Sequence, residues 1–152
     1  MTASRGVPES TGANEGAKDP RTIVRNWWAA LEQGKVELLA DFLADDGVME
    51  GMQLGHLMPH GGVYTGKEMA IRELLSLIPT HFYQPHRTRL DITAMYRDGN
   101  TIITEFTVNA VTARGRPYEN VKYVSIIQVE NGKIKSSREY PDSLKAKTVH
   151  LD

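Results

Sequence analysis

Four strand-like runs fill the second half of the sequence, and they constrain the fold more than any other feature. They cover residues 87–96, 101–113, 118–129 and 133–140. Two of the junctions between them carry Gly and Asn at their centres, Asp98-Gly99-Asn100 and Glu130-Asn131-Gly132. These residues favour the positive backbone dihedrals that tight hairpin turns need. The pattern therefore predicts a long antiparallel meander.

The first half of the sequence has helical periodicity. Apolar residues recur at helical spacing over residues 20–34, 35–46 and 65–79, and Gly or Pro ends the first and third of these stretches. A short apolar run at residues 48–52 predicts a brief strand. A loop rich in Gly, His, Met and Pro then leads to the third helix, and it is placed to cover the sheet.

Helices followed by a long meander are typical of an α+β domain in which helices pack on one face of a sheet. We therefore expect three N-terminal helices on a strongly curved, four- to six-stranded, mostly antiparallel sheet. The expected shape is a cone-shaped roll with an internal pocket, which is where a ligand site belongs. We assign residues 1–19 to a flexible N-terminal tail, 20–144 to the domain and 145–152 to a C-terminal tail.

Composition narrows the classes of function. The 18 Lys and Arg residues nearly balance the 19 Asp and Glu residues, which disfavours nucleic acid as a partner. Apolar runs are far shorter than the roughly 20 residues of a membrane span. With no cysteine, the chain has neither a thiolate nucleophile nor a thiolate metal site. The N-terminus lacks the basic start and apolar core of a signal peptide, so we expect a soluble cytoplasmic protein.

A resemblance to a known superfamily emerges from the order of elements together with four short segments. The segments are Ala44-Asp45-Asp46, Tyr64-Thr65-Gly66-Lys67-Glu68, Glu130-Asn131-Gly132-Lys133-Ile134 and Arg138-Glu139-Tyr140-Pro141-Asp142. Over residues 20–144 the chain resembles the nuclear transport factor 2-like superfamily, and within it the SnoaL-like polyketide cyclases, the ketosteroid isomerases and the limonene-1,2-epoxide hydrolases. This resemblance implies a small hydrophobic ligand, no cofactor, and a homodimer formed through the outer sheet face.

Residue-by-residue transfer from these enzymes leaves few catalytic positions. The resemblance puts the isomerase base at Gly51, with Glu50 as the nearest carboxylate, and the isomerase oxyanion donors near Trp28 and Ser125. Of the epoxide hydrolase residues, it keeps only a carboxylate on the last strand, Glu139. The sequence therefore favours acid/base chemistry by a different set of residues, with epoxide opening as the weaker expectation.

Three residues are candidate catalytic groups. Glu139 is predicted on the concave sheet face among apolar neighbours, where burial would raise its pKa; the alternative is a rim glutamate paired with Arg138, Arg116 or Lys135. His81 follows the third helix and could transfer protons near neutral pH. Glu50, at the end of the short strand, is either a base or a solvated strand end.

The candidate ligand-binding residues share a predicted position on the concave face or at the pocket mouth. They are Trp28, Met49, His56, His60, Tyr83, Phe106, Val108, Tyr123 and Ser125. A metal site at the two loop histidines is disfavoured, because their four-residue spacing suits only a helix and Pro59 and Gly61 argue against one there.

Three classes of function remain open. The first is a cofactor-independent isomerase, cyclase or hydratase/dehydratase that acts on a polycyclic, terpenoid or polyketide substrate. The second is a binding protein with the same pocket but no chemistry. The third is a dimerisation module, because Val111, Val124 and Ile126 form an apolar strip on the predicted outer face.

Overall fold

The computed structural model describes residues 19–51 and 58–151. The α-helices are α1 (Pro20–Gln33), α2 (Val36–Ala40), α3 (Lys67–Glu73) and α4 (Ser143–Leu151). Short 3₁₀ turns cover Pro59–Gly62 and Leu75–Leu77, and a π-helical turn covers Ile78–Phe82. The strands are β1 (Leu43–Gly51), β2 (Val63–Thr65), β3 (Arg89–Asp98), β4 (Thr101–Val111), β5 (Pro117–Glu130) and β6 (Lys133–Pro141).

The six strands form one open sheet in the order β2-β1-β6-β5-β4-β3. Strands β1 and β6 pair in parallel, and every other neighbouring pair is antiparallel. The helices cover its inner face, where the buried apolar residues form one core. The expected α+β architecture, with helices on a mostly antiparallel sheet around an internal pocket, is confirmed.

Helix α1 has clear stop and start signals and supplies the centre of the core. The Asp19 carboxylate accepts a hydrogen bond from the Arg21 backbone N–H at 2.9 Å, and Pro20 occupies the first turn. Gly34 ends the helix in the left-handed conformation, with φ 68°. Its inward stripe includes Val24 and Trp27, both fully buried.

The predicted second helix was too long. It ends at Ala40, and strand β1 already begins at Leu43, within the stretch predicted as helical. The apolar residues of this stretch fit a helix and a strand equally well, but pairing with β6 decides the outcome: Leu43 aligns with Ile134, whose N–H donates to the Phe42 carbonyl at 2.7 Å.

The predicted third helix breaks into three short pieces. Helix α3 ends at Glu73, a 3₁₀ turn follows, and Pro79 lies within the π-helical turn instead of after the helix end. The Tyr83 N–H donates to the Ile78 carbonyl at 2.9 Å, closing this wide turn. The π-helical turn thereby delivers His81, Phe82 and Tyr83 to one edge of the core.

A β-bulge changes the direction of side chains on β5. Val108 aligns with Val121 and Ala110 with Tyr118, so β5 carries one extra residue between these pairs. Asn120 takes a left-handed conformation there, with φ 50°, and its N–H donates to the Asn109 side chain at 3.0 Å. As a result Tyr118 and Tyr123, five positions apart, are both buried on the inner face.

The outer face and the ends of the chain complete the description. Residues 143–151 form helix α4, where the sequence predicted a tail from residue 145. On the outer face, Val111, Val124 and Ile126 are half-buried. The homodimer through this face stays a prediction, which a light-scattering mass would test. Within the described ranges, no helix is long and apolar enough to cross a membrane.

Candidate active site

A cavity of about 310 Å³ lies between the inner sheet face and the helices. Strands β1, β4, β5 and β6 contribute to its wall, together with α1, the π-helical turn and α4. Its walls are mainly apolar and aromatic. Nine of the twelve predicted site residues line it: Trp28, Met49, Glu50, His81, Tyr83, Phe106, Val108, Tyr123 and Glu139.

Glu139 is a carboxyl group of the cavity lining whose pKa is strongly raised. Burial raises its pKa from the usual 4.5 to about 7, and desolvation is the only cause. Its surface remains partly accessible because it lines the cavity. The alternative of a rim ion pair is not found: within residues 19–51 and 58–151 no cation pairs with Glu139, Lys135 pairs with Asp46, and Arg116 donates to the Val149 carbonyl.

Three tyrosine hydroxyls meet at the wall next to Glu139. The Tyr118 and Tyr123 hydroxyl oxygens are 2.7 Å apart, and those of Tyr83 and Tyr123 are 3.5 Å apart. Burial raises the pKa of all three phenols, and the nearby charge of Glu139 raises those of Tyr83 and Tyr118 further. The phenols therefore stay protonated near neutral pH, and can donate hydrogen bonds.

The three tyrosines occupy two layers. Tyr83 and Tyr123 line the cavity, whereas Tyr118 is fully buried behind them. The Tyr83 and Tyr118 rings pack with centroids 5.5 Å apart. Tyr118 thus bonds the Tyr123 hydroxyl from behind, and Tyr83 and Tyr123 are the two tyrosines that border the cavity.

An aromatic stack forms another wall. Phe106 stacks on Tyr123 with ring centroids 5.1 Å apart, and the Trp28 ring is tilted against Phe106 with centroids 4.5 Å apart. The Trp28 indole N–H is buried without a hydrogen-bond partner among the described residues. Such walls suit flat apolar ligands.

His81 and Glu50 lie at the border of the cavity. The His81 Nδ1 is 2.8 Å from the Thr80 hydroxyl, which leaves Nε2 as the second exchangeable position. Glu50 is half-buried and lines the cavity beside Gly51. Both residues therefore line the same cavity as Glu139, His81 as an exposed side chain and Glu50 as a half-buried one.

Two predicted residues are not brought to the cavity wall, and a third lies outside the described residues. Ser125 is fully buried beneath it, opposite Glu139 in the sheet register. His60 forms an ion pair with Glu73 at 3.6 Å and packs its ring on Tyr64. His56 lies outside the described residues.

Sequence reasoning missed two polar residues of this region. Tyr118 is five positions from Tyr123, so simple alternation places them on opposite faces; only the bulge at Asn120 unites them. The single signal for it was Asn120 itself, a residue that tolerates the left-handed conformation. Arg114 lines the cavity from the β4–β5 turn, and nothing in the sequence pattern distinguished it from other loop arginines.

The arrangement combines one carboxyl group that titrates near neutral pH with phenol donors in an apolar enclosure. Such a group can take up and return a proton at pH 7, and the phenols can stabilise a developing negative charge on oxygen. Among the residues that the structure describes, no group of three or more His, Asp or Glu side chains is arranged to hold a metal ion.

Comparisons with solved structures agree with the fold described above. An NTF2-like protein of unknown function from Burkholderia pseudomallei K96243 is 20% identical, with a TM-score of 0.74 over 88% of this chain and 98% of that chain. A protein with a ketosteroid isomerase-like fold from Catenulispora acidiphila DSM 44928, crystallised with trimethylamine, is 21% identical, with a TM-score of 0.64 over 78% and 83% of the two chains.

A third structure is that of TerC, co-crystallised with polyporic acid. It is 16% identical, with a TM-score of 0.73 over 88% of this chain and 98% of that chain.

No functionally curated protein matches the sequence. The family model of the SnoaL-like domain matches residues 24–137, which is most of the chain and includes all strands except the end of β6. The resemblance predicted from the sequence is confirmed: the chain belongs to the SnoaL-like domain family, and it shares the fold of NTF2-like proteins.

Proposed function

We propose that this protein is a cofactor-independent acid/base enzyme that moves a proton on a small, largely apolar carbonyl compound. The observation that carries the proposal is the position of Glu139. Its carboxyl group lines an apolar cavity, no cation pairs with it among residues 19–51 and 58–151, and its pKa is raised to about 7. A general base or acid works best when its pKa lies near the working pH.

The tyrosines define the chemistry that suits this base. Ionised Glu139 would take a proton from a carbon next to the carbonyl group. The hydroxyls of Tyr83 and Tyr123 would donate hydrogen bonds to the carbonyl oxygen as it becomes an enolate. Protonated Glu139 would then return the proton to another carbon, which completes an isomerisation. In a ring closure the enolate carbon would attack a second carbonyl carbon of the substrate, and Glu139 would give the proton to the alkoxide oxygen that this bond leaves. In a dehydration Glu139 would give the proton to the departing hydroxyl, which leaves as water while the carbon–carbon double bond forms.

The cavity also limits the substrate. Its volume of about 310 Å³ is at the lower end of the range for small-molecule sites. The stack of Trp28, Phe106 and Tyr123 suits a flat ring system, as in small polycyclic, terpenoid or polyketide compounds. Two neighbours of the same fold were crystallised with trimethylamine and with polyporic acid, which supports a small-molecule ligand but carries no residue role across.

The test measures proton exchange directly. The enolisable bicyclic ketones 1-tetralone and 2-tetralone are incubated in D₂O with the protein, and loss of the signal from the protons next to the carbonyl is followed by NMR. We expect wild type to accelerate exchange above buffer, and Glu139→Gln to lower the catalysed rate by at least about 100-fold. Glu119→Gln, which changes an exposed carboxyl group on β5, is the matched control and is expected to exchange like wild type.

A non-catalytic binding protein is the second candidate. It is favoured by Gly51, which occupies the position where the resemblance places the isomerase base. If the ketones bind to wild type but exchange no faster than in buffer, the binding protein is correct. Unchanged exchange in Glu139→Gln would instead remove Glu139 from the mechanism.

A further inference from the structure

Arg114 is held at the cavity mouth by a firmly anchored turn. The β4–β5 turn is closed by the Thr112 N–H, which donates to the Arg116 carbonyl at 2.8 Å, and by the Gly115 N–H, which donates to the Thr112 carbonyl at 2.9 Å. It is also attached to the π-helical turn, because the Ala113 N–H donates to the Phe82 carbonyl at 2.9 Å. The backbone that carries Arg114 is therefore fixed against the cavity wall.

Gln84 adds a second attachment. Its backbone N–H donates to the Val111 carbonyl at 2.8 Å, and its side-chain amide donates to the Thr112 carbonyl at 3.2 Å. On a free hairpin tip, the guanidinium group of an arginine would be fully hydrated. Here the bonds on both sides of the turn restrict Arg114 to the part of the surface where the cavity opens.

The guanidinium group of Arg114 is not used by the protein itself. It is exposed, and no carboxylate or carbonyl pairs with it among residues 19–51 and 58–151. Other arginines in the same ranges form ion pairs: Arg21 with Asp19, Arg72 with Glu68 and Glu73, and Arg89 with Asp91. Arg114 therefore differs in lining a cavity while its donors remain available.

Arg114 also does not form an ion pair with Glu139. Desolvation alone accounts for the raised pKa of that carboxyl group, whereas a guanidinium in contact would lower it. The two charged groups thus act on separate parts of the cavity. Besides the tyrosines, the described lining residues include two more ionisable groups, Glu50 and His81, and neither pairs with Arg114.

We propose that Arg114 is a specificity-determining residue that binds an anionic group of the ligand at the cavity mouth. The substrate class is then an apolar ring system with a carboxylate or another oxyanion at one end. The rings lie along Trp28, Phe106 and Tyr123, and the anion accepts hydrogen bonds from the guanidinium, which matches such groups in a bidentate manner. This inference rests on the proposed function only in taking this cavity as the ligand site.

A matched pair of dyes separates the anion from the rings. 8-Anilinonaphthalene-1-sulfonate and N-phenyl-1-naphthylamine share their aromatic skeleton, and only the first carries a sulfonate. Their affinities are measured by fluorescence titration. We expect wild type to bind the sulfonate dye more tightly, and Arg114→Gln to weaken it about tenfold while changing the neutral dye less than about twofold. Arg138→Gln, an exposed arginine on β6, is the charge-matched control and should leave both affinities unchanged.

A cavity-filling variant, Val108→Trp, shows whether the dye occupies the cavity, with Leu90→Trp in its place if circular dichroism shows that the first does not fold. Loss of both dyes in this variant supports the proposal. The proposal is overturned if wild type binds the two dyes with equal affinity or does not bind the sulfonate dye. It is also overturned if Arg114→Gln lowers the affinity for both dyes equally. Arg114-dependent binding that persists in the filled variant also overturns it. None of these results depends on turnover, so the proton-exchange assay and this test fail separately.

Discussion

The inner face of the sheet has a sealed region and an open region, although both use the same strands and the same alternation. In the sealed region Ile102, Ile127 and Ile134 are fully buried against the core beneath α1 and α2. In the open region Phe106, Tyr123 and Glu139 border the cavity. The pairs Ile102–Ile127 and Phe106–Tyr123 lie on the same two strands, four residues apart.

The difference between the regions comes from what the helices place above the sheet. Trp27 on α1 and Leu39 on α2 are fully buried in the same hydrophobic core as the three isoleucines of the sealed region. Over the open region, α3 ends early and the chain turns through 3₁₀ and π-helical geometry, so α3 does not continue across the strands. Residues with polar ends therefore remain accessible there, which a close-packed core does not allow.

The largest expected effect is on stability in the sealed region. Ile127→Ala should lower the free energy of unfolding by about 3 kcal/mol, because it leaves a void that packed neighbours cannot close. Val108→Ala, at the cavity wall, should cost only about 1 kcal/mol, since the side chain already borders empty space. Urea unfolding of both variants measures the difference. Equal losses would show that the two regions are packed alike.

The second effect is the pH dependence of stability that Glu139 imposes. Its pKa is about 7 when folded and near 4.5 when unfolded, so the folded state binds more protons between these values. Its contribution to stability is therefore fully present below pH 4.5 and is lost as pH rises through 7. Relative to Glu139→Gln, wild type should lose about 2 kcal/mol between pH 5 and 8, less than the full shift implies because the side chain is partly accessible.

Urea unfolding of wild type and Glu139→Gln across this pH range provides the measurement. Taking the difference between them cancels the other titrating groups, such as Asp19 and Glu73, whose lowered pKa values act in the opposite direction at acidic pH. A difference that does not change with pH would mean that Glu139 is solvated like an ordinary surface carboxylate.

The smallest effect concerns the layer behind the cavity. Tyr118→Phe removes the hydroxyl that bonds to Tyr123 without altering ring packing, so it should cost about 1 kcal/mol in stability. It should also slow ketone exchange about threefold, because the Tyr123 hydroxyl loses its orientation. Tyr140→Phe, on the outer face of β6, is the matched control. If Tyr118→Phe behaves like this control, the Tyr118 hydroxyl contributes neither to stability nor to ketone exchange.

The sequence predicted the sheet better than the cover over it. The long strands were found to within a few residues, because Gly99 and Asn131–Gly132 mark the turns and alternation marks the faces. Leu43 was misassigned because its apolar neighbours fit a helix, and only pairing with β6 makes it a strand. Part of the site could be predicted from the alternation of side chains along the strands, which places Glu139 and Tyr123 on the inner face. Tyr118 could not be predicted in this way, because it reaches this face only through the bulge. Arg114 could not be predicted either, because its position depends on the contact between the β4–β5 turn and the π-helical turn.

The central claim is that the Glu139 carboxyl group titrates near neutral pH inside the cavity. A ¹³C NMR titration of the glutamate side-chain carboxyl carbons, with the Glu139 signal assigned by its absence from Glu139→Gln, measures this directly. We predict a midpoint near 7, well above that of the exposed glutamates. A midpoint near the ordinary value of 4.5 would contradict the proposed acid/base role.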